Sequence, residues 1–163
     1  MSPLLRKKDL ILERTYPHPV PAVWDAWTRP ELLRQWWGPE KTTIVECRLD
    51  LEVGGELYVV TEAGSAMGKY AGTRWPMAGT FTHIDDKASL TYDARSWTEG
   101  EEATSAIEHV NDIRFAEADG GTTVQLRVAI TKIGPKAKMA AFGMKWGYKA
   151  NLKALDEVLA STV

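Results

Sequence analysis

The sequence predicts an α+β fold, in which one antiparallel β-sheet is covered by a long C-terminal α-helix. Two observations carry this prediction. Apolar and polar residues alternate in short runs between residues 10 and 132, and turn residues separate the runs, as in strands joined by hairpins. From about residue 136 to residue 160, apolar residues instead recur every three or four positions, as on one face of a helix. A length of 163 residues, at about 150 per domain, predicts a single domain over residues 1–163.

A first strand and two short helices precede most of the sheet. Residues 10–16 alternate in hydrophobicity, and the prolines that follow end this strand. Residues 21–37 then predict two short helices in tandem. We expect Thr28 to cap the second helix, Pro30 to occupy its first turn and Gly38 to end it.

Alternation between turn residues predicts six further strands, at about 43–51, 56–62, 78–85, 88–97, 106–117 and 122–132. In the first of these, alternation places Val45 and Cys47 on one face and Ile44 on the other. Residues 63–78 are rich in glycine and small residues, and they predict a loop that folds over something apolar.

The final helix is predicted over residues 136–160. Its buried seam advances by three and four residues and comprises Ala141, Met144, Tyr148, Leu152, Leu155 and Leu159. Its outer side is basic and carries Lys136, Lys138, Lys145 and Lys149. Lys132, at the end of the last predicted strand, adds to this basic side. We interpret this basic side as a solvated face.

Composition and charge narrow the classes of function. A formal net charge of −2 at pH 7 gives no electrostatic argument for binding nucleic acid or an anionic membrane. The longest apolar runs are far shorter than the roughly 20 residues that span a bilayer, so we expect no membrane insertion, and we expect no signal peptide. The single cysteine, Cys47, excludes an intrachain disulfide and favours a cytoplasmic location.

No motif indicates catalysis or metal binding. The histidines at positions 18, 83 and 109 have no partners at the spacing of metal ligands. The sequence also contains no nucleophile elbow, phosphate-binding loop or dinucleotide-binding glycine motif. We therefore expect no metal site, no cofactor and no catalytic constellation.

His109 is the histidine best suited to a functional role. Alternation places it on the same strand face as Asn111, Ile113 and Phe115. If that face meets a cavity, the polar pair could orient a carbonyl or hydroxyl group of a ligand, or serve as acid and base. The alternative is that both lie at the solvated edge of the sheet or bond to nearby backbone. Tyr92 is likewise either a hydroxyl at a cavity wall or a core tyrosine whose tip is in water.

A string of residues in the helical region resembles a known family pattern. It runs Val23-Trp24-Asp25-Ala26-Trp27-Thr28-Arg29-Pro30-Glu31-Leu32-Leu33-Arg34-Gln35-Trp36-Trp37-Gly38-Pro39. Further matches are Asp50 before Gly54-Gly55, Gly79, Gly121-Thr122, and Gly147-Tyr148 with Leu152 and Leu155. Through these matches, residues 9–160 resemble the family named after the C-terminal domain of the activator of Hsp90 ATPase, within the START and Bet v 1-like superfamily.

This resemblance implies the helix-grip fold. In that fold a curved antiparallel sheet wraps around the C-terminal helix and encloses a cavity, and we expect the two short helices to close one end. The leading function that it implies is the binding of a small apolar molecule. The alternatives are a cyclase or aromatase-like enzyme acting on a polyketide-type substrate, and a chaperone-associated module that interacts with Hsp90. Formation of a homodimer stays open.

The expected cavity gives ten candidate ligand-binding residues. We expect Trp37 near the cavity mouth while Trp36 fills the core. Tyr70 and Trp75 are expected either to form a lid or to pack on the rim of the sheet. The full set is Trp37, Tyr70, Trp75, Tyr92, His109, Asn111, Ile113, Phe115, Met144 and Tyr148.

Overall fold

The computed structural model describes residues 9–38 and 41–161. The elements in these ranges are β1 (Leu10–Tyr16), α1 (Val20–Thr28), α2 (Pro30–Leu33), β2 (Thr42–Leu49), β3 (Glu56–Ala63), a 3₁₀ helix (Ser65–Tyr70), β4 (Arg74–Asp85), β5 (Ser89–Ser96), α3 (Glu102–Ser105), β6 (Ile107–Ala118), β7 (Gly121–Ile133) and α4 (Lys138–Ser161). This order confirms the α+β prediction. It adds the short α3, which the sequence pattern did not indicate.

The seven strands of the described residues form one antiparallel sheet in the order β1-β7-β6-β5-β4-β3-β2. Because β1 and β2 are its two edges, the chain between them must cross from edge to edge, and α1 and α2 make that crossing. Register shifts mark bulges in β2, β4 and β7, and a bulge increases the bend of its strand. The curled sheet surrounds α4, and side chains of both share one hydrophobic core. The helix-grip prediction is therefore confirmed.

The two halves of α4 differ in packing. In the packed half, residues 148–161, the inward side chains are buried. Tyr16 of β1 donates a hydrogen bond of 2.7 Å from Oη to the carbonyl oxygen of Leu152, and Arg14 forms an ion pair with Asp156. In the open half, residues 138–147, Ala141, Met144 and Gly147 are partly buried and the other residues are exposed. None of the helices in the described residues is long and apolar enough to cross a membrane.

Two local predictions need correction. Thr28 does not cap α2, because its Oγ1 donates to the carbonyl oxygen of Trp24 inside α1, and Arg29 occupies the cap position without a side-chain bond. Ile44 faces inward and is buried, because the bulge at Val45 changes the phase of alternation in β2. Pro30 does begin α2, as predicted.

The stretch 63–78 is not a plain loop. It contains the 3₁₀ helix and the first five residues of β4, which pairs with β3 from Arg74 onward. Trp75 and Met77 are therefore strand residues, and they are held in place by ladder hydrogen bonds rather than by a mobile connection. The pattern missed this strand because Pro76 interrupts its alternation.

Candidate functional site

A cleft lies between the open half of α4 and one end of the sheet. At this end β4 begins, β5 ends and β6 begins, since Met77 pairs with Ser96 and Ser96 pairs with Ile107. The volume of the cleft is about 410 Å³, within the range of roughly 300–1,000 Å³ that is usual for small-molecule sites. The lining residues are Trp37, Gly38, Thr61, Met67, Trp75, Pro76, Met77, Ser96, Ile107, Ala140, Met144, Gly147, Tyr148 and Asn151.

Most of this lining is apolar and none of it is charged. Met67, Met77 and Met144 enter from the 3₁₀ helix, from β4 and from α4. Methionine fits irregular shapes because its side chain is flexible and polarizable. Ala140 and Gly147 keep the α4 wall flat, and a Cβ atom added at Gly147 would meet nothing within 4 Å. The cleft therefore suits a neutral apolar molecule better than an ion.

Trp37 connects the cleft to the aromatic core. Its half-buried ring lies edge to face with Tyr148, at 5.7 Å between centroids, and with Trp36, at 5.5 Å. Trp36 is only 2% exposed, and its Nε1 donates a hydrogen bond of 3.0 Å to the carbonyl oxygen of Ala26. The two adjacent tryptophans thus occupy the core and the cleft wall respectively.

One wall of the cleft is polar. It consists of Ser96 at the end of β5 together with Tyr148 and Asn151, which lie three residues apart on α4. Asn151 Oδ1 accepts a hydrogen bond of 3.1 Å from the backbone N–H of Gly38. This bond holds α4 against the turn that follows the helix pair.

A hydrogen-bonded network lies behind the polar wall. Ser96 Oγ is 2.9 Å from His109 Nε2, and His109 Nδ1 is 2.5 Å from Asn111 Oδ1. Through Nδ2, Asn111 donates to Tyr92 Oη at 3.2 Å and to Tyr148 Oη at 3.0 Å. The strand pairing creates this cluster, because Tyr92 lies opposite Asn111 in the β5–β6 register. Asn111 thereby connects the middle of the sheet to α4.

The members of this network are neutral near pH 7. Since Asn111 Oδ1 accepts from His109 Nδ1, that nitrogen carries the ring proton, and Nε2 accepts the hydroxyl proton of Ser96. Burial lowers the pKa of His109, and the hydrogen bond to Asn111 opposes this shift. Burial also raises the pKa of Tyr148 to about 12. Both ring nitrogens of His109 are engaged, so the network orients hydroxyl groups rather than offering a free base.

The structure brings seven of the ten predicted residues to the cleft or to the network. Those that line the cleft are Trp37, Trp75, Met144 and Tyr148. Tyr92, His109 and Asn111 are buried one layer deeper, in the network. For the last two, the alternative of a solvated sheet edge is wrong, because both are at most 1% exposed. Their part in ligand binding stays a prediction.

Three predicted residues lie outside the cleft. Ile113 and Phe115 are buried in the core, where the Phe115 ring packs edge to face on Trp24 at 5.2 Å. Helix α1 packs against β6, and neither side chain lines the cleft. Tyr70 is 53% exposed with Lys69 Nζ 5.1 Å from its ring, because the 3₁₀ helix directs Met67 into the cleft instead.

Several lining residues were missed by sequence reasoning. Ile107 and Ala140 carry no distinctive signal, and Gly147 was noted only as a match to the family pattern. Asn151 does carry one, since it is a polar residue on the buried face of a helix. Ser96 carries a similar signal, because it lies on the strand face that also buries Tyr92.

Within residues 9–38 and 41–161, metal-binding side chains do not converge near the cleft. In the part of the chain that the structure describes, no three His, Cys, Asp or Glu side chains are grouped so that they could hold a metal ion. Cys47 is half-buried in β2, and burial raises the pKa of its thiol, which makes it a weak nucleophile.

Comparison with known proteins agrees with this architecture. The sequence profile of a family described as Activator of Hsp90 ATPase homolog 1-like protein matches residues 17–160. Among solved structures, protein NE0264 from Nitrosomonas europaea is 26% identical with a TM-score of 0.75, over 97% of this chain and 98% of its own. Protein CV1439 from Chromobacterium violaceum is 18% identical with a TM-score of 0.77, over 94% and 98% of the two chains.

The AHSA1-like protein from Aeromonas hydrophila is also similar, at 21% identity and a TM-score of 0.70, over 94% of this chain and 93% of its own. No curated protein matches the chain in sequence. Because the family profile spans most of the chain and the helix-grip architecture agrees with it, the chain belongs to the activator of Hsp90 ATPase homolog 1-like family.

Proposed function

We propose that the protein binds a small, neutral and largely apolar molecule in the cleft beside the open half of α4. The observation that carries this proposal is the composition of the cleft wall. A volume of about 410 Å³ is bordered mainly by methionine, tryptophan and isoleucine side chains, and polar groups enter only from the polar wall and from Thr61. This combination is typical of small-molecule sites, in which a few polar groups orient an apolar ligand.

The polar wall favours a ligand that carries a carbonyl or hydroxyl group. Asn111 donates to Tyr148 Oη, so the hydroxyl proton of Tyr148 is left for another acceptor. Ser96 gives its proton to His109, so its oxygen is left to accept. An anionic ligand would find no cation among the lining residues, and its buried charge would be costly.

Binding is favoured over the cyclase alternative by the position of His109. A general acid or base must reach the reacting group directly or through one water molecule. His109 is 1% exposed, and the Ser96 hydroxyl and the Asn111 amide occupy its two ring nitrogens. It supports the orientation of Ser96 and Tyr148.

The test is titration with Nile red, a neutral apolar dye whose fluorescence increases on leaving water. The blocking variant is Gly147→Leu, because Gly147 lines the cleft and a Cβ atom added there meets nothing within 4 Å. Gly143→Leu is the matched control, since a Cβ there also meets nothing within 4 Å but the residue does not line the cleft. We expect Gly147→Leu to weaken dye binding at least tenfold and Gly143→Leu to leave it unchanged.

A second variant tests the polar wall. Tyr148→Phe removes one hydroxyl, and a neutral hydrogen bond is worth about 1 kcal/mol, so binding of this carbonyl-containing dye should weaken about fivefold. If wild-type protein binds no dye, or if both leucine variants bind it like wild type, the proposed site is wrong.

A further inference from the structure

Three large apolar side chains on the outside of α4 are exposed to solvent. Met139 is 83% exposed, Phe142 is 81% exposed and Trp146 is 65% exposed. Steps of three and then four residues place them in one stripe along the helix, opposite the buried seam. Single exposed apolar residues are normal, whereas a continuous stripe that includes two aromatic rings indicates an interaction site.

Lysines surround this stripe. Residues 136–153 contain no aspartate or glutamate but five lysines, Lys136, Lys138, Lys145, Lys149 and Lys153. Lys149 Nζ lies 5.2 Å from the centroid of the Trp146 ring, so charge and aromatic surface are in direct contact. The net charge of −2 for the whole chain hides this local excess of positive charge.

We propose that the stripe of Met139, Phe142 and Trp146, with its lysines, is a docking surface for an anionic lipid membrane. Helices that lie in a membrane interface carry aromatic and apolar residues on one side and lysine beside them. The apolar side chains enter the boundary between head groups and acyl chains, and the lysines are attracted to anionic head groups. Such binding is peripheral and requires no membrane-spanning segment.

Two other occupants fit the surface less well. In a two-fold symmetric dimer the same surface would face itself, which would bring the lysines of one chain against those of the other. An acidic protein would match the charge, but the aromatic rings project from a single convex helix and form no groove to receive a partner segment. A lipid surface deforms around projecting side chains and supplies the negative charge as well.

The position of the stripe relates it to the cleft. Ala140, Met144 and Gly147 of the same helical segment line the cleft, so the stripe and the cleft lie on two sides of one helix, about 10 Å across. A membrane bound at the stripe would hold the cleft close to a source of apolar molecules. Membrane docking does not depend on the proposed ligand binding, because none of the three stripe residues lines the cleft.

The experiment is flotation of the full chain with lipid vesicles. One set of vesicles contains phosphatidylcholine alone, and the other contains about one third phosphatidylglycerol. We expect at least tenfold stronger binding to the anionic vesicles, and this preference should decrease as salt is raised from about 50 mM to about 500 mM. No binding to either set would overturn the proposal.

The variants separate the stripe from the rest of the surface. The double variants Phe142→Ala/Trp146→Ala and Lys145→Glu/Lys149→Glu should each weaken binding to anionic vesicles at least tenfold. The control is Val53→Ala, since Val53 is 65% exposed like Trp146 but lies outside α4, and it should bind as wild type does. Equal binding by the control and the aromatic variant would overturn the proposal.

Two further measurements make the outcome specific. If analytical ultracentrifugation shows a dimer that Phe142→Ala/Trp146→Ala converts to a monomer, the surface is a dimer interface and the membrane proposal is wrong. Nile red binding should be unchanged in Phe142→Ala/Trp146→Ala and strongly weakened in Gly147→Leu, whereas vesicle binding should show the reverse. Failure of the cleft and failure of the docking surface are therefore distinguishable.

Discussion

The two halves of α4 belong to one continuous helix but meet different surroundings. The inward positions of the packed half carry Asn151, Leu155 and Val158, which are buried against the sheet and α1. The equivalent positions of the open half carry Ala140, Met144 and Gly147, which border the cleft. Ala140 and Gly147 have almost no side chain, and Met144 alone leaves part of the space between helix and sheet open as the cleft. Along this helix, residue size separates the part that stabilises the fold from the part available for binding.

The largest expected effect is at Trp36, whose buried ring packs edge to face on Trp27 of α1. Trp36→Ala should lower the free energy of unfolding by about 3–5 kcal/mol, as for a large aromatic side chain removed from a core. Trp37→Ala should cost less than half as much, because its ring is half-buried at the cleft. Urea denaturation of both variants measures this. Equal and small losses would show that neither ring contributes to the core.

The same comparison can be made within α4 itself. Leu155 is fully buried, and Leu155→Ala should cost about 2–5 kcal/mol. Met144→Ala, on the inward face of the open half, should cost less than half of that because Met144 already borders empty space. A loss at Met144 as large as the loss at Leu155 would mean that the cleft is closed in solution.

The packed half could be predicted from the sequence, whereas the cleft could only be approximated. Leu152, Leu155 and Leu159 repeat with helical spacing, and periodicity alone predicts their burial. The position of the cleft depends on which strand ends meet beneath the open half, and this follows from the register between β4, β5 and β6. A bulge such as the one at Val45 changes the register without a mark in the pattern.

Strand β6 shows what alternation can predict about the site and what it cannot. Alternation along β6 placed His109 and Asn111 on one face, and both are buried on that face. The same alternation predicted that Ile113 and Phe115 line a cavity, whereas both are buried in the core and Trp24 of α1 packs on Phe115. Alternation indicates which face of a strand is buried, but it does not indicate whether protein or empty space lies in front of that face.

Acidification should weaken the domain through His109. Burial lowers its pKa in the folded state, so the unfolded chain binds a proton more readily as the pH falls below about 6.5. Neutral His109 makes its full contribution to the free energy of unfolding above that pH. Below it, this free energy falls by no more than about 1.4 kcal/mol per pH unit, because one proton is involved.

The measurement is the free energy of unfolding at pH 7.5 and at pH 5, for wild type and for His109→Gln. Glutamine keeps a polar side chain but does not titrate, so the difference between the two pH values should be smaller in the variant. The same difference in both proteins would show that His109 binds a proton equally well in the folded and unfolded states.

The smallest expected effect is on the outer side of the open half. Phe142→Ala and Trp146→Ala should each change the free energy of unfolding by no more than about 0.5 kcal/mol, as is usual for exposed positions without buried contacts. Urea denaturation checks this against Leu155→Ala in the same helix. A loss above about 2 kcal/mol would show that these rings pack against the protein and would end the contrast between the two halves. If the loss is small, the stability of the fold does not explain why two aromatic rings and several lysines lie on this surface. Their interaction with another surface is then the explanation.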